Sequence, residues 1–234
     1  MPRTARIAPG GLVYHVLNRA NGRGPIFAEE ADYFGFLLVL RRSVEQYEMR
    51  LLAYCVMPNH WHLVVWPHQD GQLARFMHGL TTRHVRRWHR SHGTDGAGHL
   101  YQGPYRSFPV QHERHLLALC RYVERNPVAA GLVERAEQWP WSSAHQRSLE
   151  THRPGQSGEP EDFRPRLAAW PIDRPVEWPV LVNQPLTAAD LERVRRSTST
   201  GLPLGEAAWC AAVAERLALT SLLGRRGRPA TSTA

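Results

Sequence analysis

Apolar and polar positions along the chain change period several times, and each change marks an element. Residues 11–18, GLVYHVLN, alternate and are rich in β-formers, which predicts a first strand. After a turn-prone basic loop, residues 29–48 carry apolar side chains at helical spacing with acids in the first turn, the signature of a helix. Residues 49–57, MRLLAYCVM, read as a second strand, Pro58-Asn59 as a tight connection, and residues 60–66, HWHLVVW, as its hairpin partner. Helical period returns over 71–90. A strand broken by Gly103-Pro104 follows over 100–110, then a helix over 112–126 that should stop at Pro127.

The order βαββαβ with one further helix predicts an α+β, ferredoxin-like antiparallel sheet with helices on one face, in a domain spanning 1–147. Residues 148–180 hold prolines at 154, 160, 165, 171, 175 and 179, and read as an extended connector. Residues 181–234 read as a small helical extension. Thr187 is placed to cap a short helix there, a second helix is expected over 204–219, and the tail is basic.

With 42% hydrophobic residues the chain can build a core. It has no apolar run long enough to span a bilayer and no secretory h-region. Its three cysteines form no CxxC pair or disulfide framework, so a reduced, cytoplasmic protein is expected. Charge narrows the picture further. The net charge is +8, and all 29 basic residues are arginine. Arginine forks match phosphate geometry, so the expected partner is nucleic acid rather than a membrane, for which no basic amphipathic helix is evident.

Two places then carry chemistry. On a strand, His60 and His62 point to the same face while Trp61 packs on the other, so two imidazoles stand ready for one divalent metal. A pair of half-exposed histidines in a chain that holds 13 is the plain alternative. On the helix over 112–126, Tyr122 and Asn126 are one turn apart and share a face. An amide oxygen there can complete a metal's shell, and a phenol can attack a phosphorus held by that metal. A core tyrosine is the competing account.

The segments YHVLNRANGRGPIF (14–27), YCVMPNHWHLVV (54–65), GHLYQGPYRSFPVQ (98–111) and RYVERNPVAAGLVERAEQWPWSSA (121–144), in that order, resemble the REP-associated tyrosine transposases, a single-tyrosine branch of the HUH nucleases. The resemblance implies that His60, His62 and Asn126 hold Mg²⁺ or Mn²⁺. It implies that Tyr122 cleaves single-stranded DNA at REP-like hairpins through a 5′-phosphotyrosine, and that no small-molecule cofactor takes part. It also favours a monomer over a dimer. The chain departs from the family's pattern at Pro104, where a basic residue is common, and at Ala129, where an arginine is common. Both changes remove possible DNA contacts.

Other expected DNA contacts are Arg19 and Arg23 after the first strand, Arg83, Arg86 and Arg87 on the second helix, Arg106, and Arg226 and Arg228 in the tail. The last two resemble a minor-groove hook. Tyr101 and Tyr105 are candidates for stacking on bases. The alternative function is a non-catalytic, domesticated DNA-binding protein on the same scaffold.

Overall fold

The computed structural model describes residues 8–96, 98–152 and 163–219. Four strands, β1 (Val13–Arg19), β2 (Arg50–Met57), β3 (His60–Trp66) and β4 (Arg106–Val110), form one sheet in the order β2-β3-β1-β4. Every pairing is antiparallel. Helices α1 (Glu30–Gln46) and α2 (Gln72–His92) lie on one face, where Phe36, Leu37, Leu40, Phe76 and Met77 bury against Val16, Trp61, Leu63 and Val65. Glu29 and Asp32 start α1 with a reciprocal capping box, and Gly93 ends α2 in the left-handed conformation that favours glycine.

The α+β class expected from the pattern holds, but the helices are not confined to one face. The opposite face is covered by α3 (Arg114–Glu124), whose Leu116, Leu119, Cys120 and Val123 pack on Val13, Cys55, Val64 and Phe108. Later segments complete that layer: Trp178 opens α6 (Trp178–Leu181), Val194 lies in α7 (Ala188–Thr200), and Val182 and Leu204 come from the adjoining loops. The strands are apolar on both sides, as this burial requires: β2 is buried from Leu51 to Met57.

Both sheet edges are closed by chain that follows α3, which removes the exposed ladder groups of an edge strand. Along β2, Val56 N–H donates to the Trp141 carbonyl (2.9 Å), and Ser143 Oγ accepts from Tyr54 N–H (3.0 Å). A register shift between Leu51 and Ala53 turns two β2 carbonyls outward. Ala168 N–H donates to Leu51 O (2.8 Å), and Trp170 Nε1 (3.0 Å) and Arg147 donate to Leu52 O. Along β4, whose Pro109 suits an edge, Gln111 N–H donates to Leu204 O (2.8 Å) and Leu204 N–H to Pro109 O (2.9 Å).

Three elements differ from expectation. The strand over 100–110 divides at Gly103-Pro104: Tyr101 makes an isolated bridge to Ala20, and regular pairing starts only at Arg106. The helix over 112–126 breaks at Arg125 (φ −84°, ψ −3°) and restarts as α4 (Asn126–Ala129). A proline disfavours helical backbone before it yet fits a first turn, so the break precedes Pro127 and the chain stays helical after it. The last helix, α8 (Ala207–Arg216), is shorter than the 204–219 expected. The cap at Thr187 falls where expected, and a second cap forms at Ser142. Thr187 Oγ1 accepts from Asp190 N–H (3.1 Å) at α7, and Ser142 Oγ accepts from His145 N–H (3.3 Å) at α5 (Ser143–His152).

Candidate active site

Strand pleating sends Trp61 into the α1–α2 core, where it is fully buried, stacks on Phe36 at 5.8 Å and donates its Nε1–H to Tyr101 Oη (2.9 Å). His60 and His62 therefore face α3, with ring centroids 5.0 Å apart. Across the ladder, His60 pairs with Arg19 and His62 with Leu17, which brings His15, two residues back on β1, to the same face. On α3, Tyr122 presents its ring edge-on to His62 (centroids 5.8 Å) and to His15 (6.3 Å). Across the break between α3 and α4, Asn126 lies near enough to the phenol to favour its ionised form.

The imidazoles suit cation binding. Burial, with Arg19 beside it, pushes His60 down to about 4, and burial pushes His62 well below the ordinary range, so both are neutral near pH 7. His60 Nδ1 lies 2.7 Å from Asn59 Oδ1 and donates to it, which leaves the Nε2 lone pair free. His62 Nδ1 lies 2.8 Å from His15 Nε2, so Nε2 is the His62 nitrogen left to face the site. Among the described residues no three His, Cys, Asp or Glu side chains are grouped to hold a metal ion, so a third protein donor would have to be an amide, and Asn126, beside Tyr122, is the candidate. This donor set fits a cation that keeps open positions for water and phosphate.

Tyr122 is raised above its ordinary value by burial, while the Arg195 charge and the Asn126 hydrogen bond pull it back. The ring borders a cleft of about 520 Å³, lined also by Asn18, Arg19, Gln102, Arg106 and Arg195. Arg106 also donates to Ser199 O (2.5 Å) on α7. A larger groove of about 1040 Å³ shares Asn18, Gln102, Gly103 and Pro104 with this cleft and continues past Tyr105 to Arg86. Asn18 Nδ2 donates to Gly103 O (3.3 Å) at the saddle between them.

The expected residues thus divide. His60, His62, Tyr122, Asn126, Arg19 and Arg106 come together. Arg83, Arg86 and Arg87 join Arg42 and Arg90 along a furrow of about 690 Å³ between α1 and α2, across the sheet from Tyr122. Arg23 ends a 3₁₀ turn over Asn21–Arg23, and Arg226 and Arg228 lie outside the described residues. Tyr101 is not free to stack on bases: it is 8% exposed, and its hydroxyl bonds Trp61 and also His84 (2.6 Å). Tyr54 is core, and its hydroxyl donates to Gln146 (3.1 Å). Sequence reasoning missed His15 and Arg195. His15 lay in view, three residues from Asn18 on a strand already identified, but only the register reveals its neighbour.

Comparison with known proteins adds family to this geometry. The family model described as "Transposase IS200 like" matches residues 10–126, half of the chain. A protein named as a putative REP-associated tyrosine transposase in Haemophilus influenzae is 25% identical over an alignment of 123 residues that covers 49% of this chain and 70% of that protein. The solved structure of a REP-associated tyrosine transposase bound to a REP hairpin superposes with a TM-score of 0.51 at 16% identity, over 72% of this chain and all of the other, and shares the fold. Among the described residues, no helix is long and apolar enough to cross a membrane.

Proposed function

Because the chain belongs to the IS200-like transposase family, we propose that it is a single-strand DNA endonuclease and strand transferase acting at REP-like hairpins, with Tyr122 as nucleophile. The observation that supports this most is the meeting of Tyr122, Asn126, His60 and His62 beside an arginine-lined cleft. A divalent cation, Mg²⁺ or Mn²⁺, held by His60, His62 and Asn126 would polarise the scissile phosphodiester. Tyr122 Oη attacks the phosphorus, the bond from phosphorus to the 3′ oxygen breaks, and the phenol proton passes to solvent. The 3′ oxygen takes up a proton and leaves as a free hydroxyl, while the 5′ phosphate stays on Tyr122. Attack by a 3′-hydroxyl on that phosphotyrosine rejoins a strand without an external energy source, because one phosphodiester replaces another.

Asn126 favours the ionised phenol, and Arg19, Arg106 and Arg195 supply positive charge for the phosphate. The flanking strand would follow the saddle at Gly103-Pro104 into the groove beside Tyr105. The protein would work as a cytoplasmic monomer.

The test is a denaturing gel with labelled single-stranded hairpin DNA from repeats flanking the protein's own gene, in Mn²⁺ or in EDTA. A metal-dependent protein–DNA band is expected, absent in Tyr122→Phe, with hairpin binding nearly unchanged. A hairpin complex on native gels without any covalent band, while an established relative cleaves its own hairpin in parallel, would favour a DNA-binding protein instead.

A further inference from the structure

We infer that His15 is a positioning residue for the cation: it accepts a proton shared by His62 and thereby turns the His62 Nε2 lone pair toward the site. The inference rests on the metal-site reading above. His15 Nε2 lies 2.8 Å from His62 Nδ1, and the two rings stack with centroids 5.0 Å apart and planes 28° from parallel. His15 is fully buried, held edge-on by Phe108 at 4.9 Å, and its own Nδ1 has no hydrogen-bond partner. It stands behind His62 rather than beside it as a third ligand, since no three such side chains converge among the described residues.

A hydrogen bond between two neutral imidazoles needs one N–H and one lone pair, so the pair has two arrangements. If His15 Nε2–H donates, the proton of His62 sits on Nε2, and that nitrogen has no lone pair to offer. If His62 Nδ1–H donates, His62 Nε2 is free to bind, and the His15 proton moves to Nδ1, where nothing receives it. The first arrangement satisfies the buried donors in the free protein. The second is the only one that binds a cation. Cation binding therefore selects one tautomer of a buried pair, with the unpartnered His15 Nδ1 carrying the proton. Metal-binding histidines commonly have their second nitrogen fixed in this way, and losing the partner typically weakens affinity by roughly 10–100-fold.

The experiment measures Mn²⁺ affinity of the full chain by electron paramagnetic resonance of the free ion, in wild type, His15→Leu, His15→Gln and His62→Ala. Leucine fills the space and accepts nothing, whereas glutamine can accept through its amide oxygen without a stranded ring N–H. We expect His15→Leu to bind roughly 10–100-fold more weakly than wild type, and His15→Gln to recover most of the loss. Long-range ¹H–¹⁵N spectra with Mg²⁺ should show His62 protonated at Nδ1, and this result decides the matter even if His15→Leu does not fold. Equal affinities in wild type and His15→Leu, a glutamine variant no better than leucine, or His62 protonated at Nε2 in the Mg²⁺-bound protein would each overturn the role of His15. A wild type that binds Mn²⁺ no better than His62→Ala would instead overturn the metal site itself.

Discussion

The phenol of Tyr122 meets two opposing influences, and their balance sets how it can react. Burial raises it above its ordinary value, while Arg195 and Asn126 favour the phenolate. Removing Arg195 withdraws a stabilising charge from the anion, so the phenol must rise further and less phenolate forms at any given pH. Arg195→Gln is therefore expected to slow adduct formation by roughly tenfold, the equivalent of one pKa unit, and to do so evenly at every pH well below the titration of the raised phenol. Single-turnover rates paired with a ¹³C-tyrosine nuclear magnetic resonance titration of Tyr122 would check this, and a slower rate with an unshifted phenol would mean that Arg195 only holds the phosphate. At this scale the sequence was partly legible. The i, i+2 spacing of His60 and His62 shows that they share a strand face, and the spacing of Tyr122 and Asn126 survives the break at Arg125. Arg195 and His15 were not legible, because nothing local marks an arginine among arginines or a strand histidine whose partner lies 47 residues away.

Among elements, the junction that matters most for the site is the one behind α3. Glu124, two residues from Tyr122 and fully buried, is bonded by Ser143 Oγ (2.5 Å), by Arg147 from α5, and by Trp178 Nε1 (2.7 Å) from α6. One carboxylate thus ties the tyrosine helix to two later helices. Taking it away leaves a nearly buried guanidinium without its counter-charge, which typically costs about 3–5 kcal/mol. Glu124→Ala should lower stability to urea by that order, and Glu124→Leu combined with Arg147→Leu should lose less than the sum of the single changes. Strict additivity would show that the two side chains act independently. The amphipathic α1 and α2 and the β2–β3 hairpin could be read from periodicity, because local pattern decides them. The cover on the second face could not. Its contacts are single tryptophans and loop carbonyls far apart in sequence, and the bulge at Leu51–Ala53 that exposes two of those carbonyls leaves no periodic trace.

In the whole molecule, positive charge lies on both sides of the sheet, with different consequences on each side. Arg19, Arg106 and Arg195 border the Tyr122 cleft, whereas Arg42, Arg83, Arg86, Arg87 and Arg90 line the α1–α2 furrow on the far side. Arg86 reaches the groove that meets the cleft at Gly103-Pro104, so the two basic surfaces lie along one path around the edge of the molecule. On the proposed function, a short single strand at Tyr122 would meet only the cleft, whereas a hairpin whose stem continues along the groove would come to the furrow. The furrow should then contribute affinity rather than chemistry. Replacing Arg83, Arg86 and Arg87 together with glutamine is expected to weaken hairpin binding and to flatten its salt dependence. At about 0.9 counterion released per phosphate contact, three lost contacts reduce the slope of log K against log salt by roughly 2–3. The cleavage rate at saturating DNA should change little, since none of the three borders the Tyr122 cleft. Titrations at several salt concentrations, paired with single-turnover cleavage, separate the two effects. An unchanged slope would make the furrow the solvated face of two helices and confine DNA to the Tyr122 side, while a loss of rate at saturation would mean that the stem contacts also align the scissile phosphate.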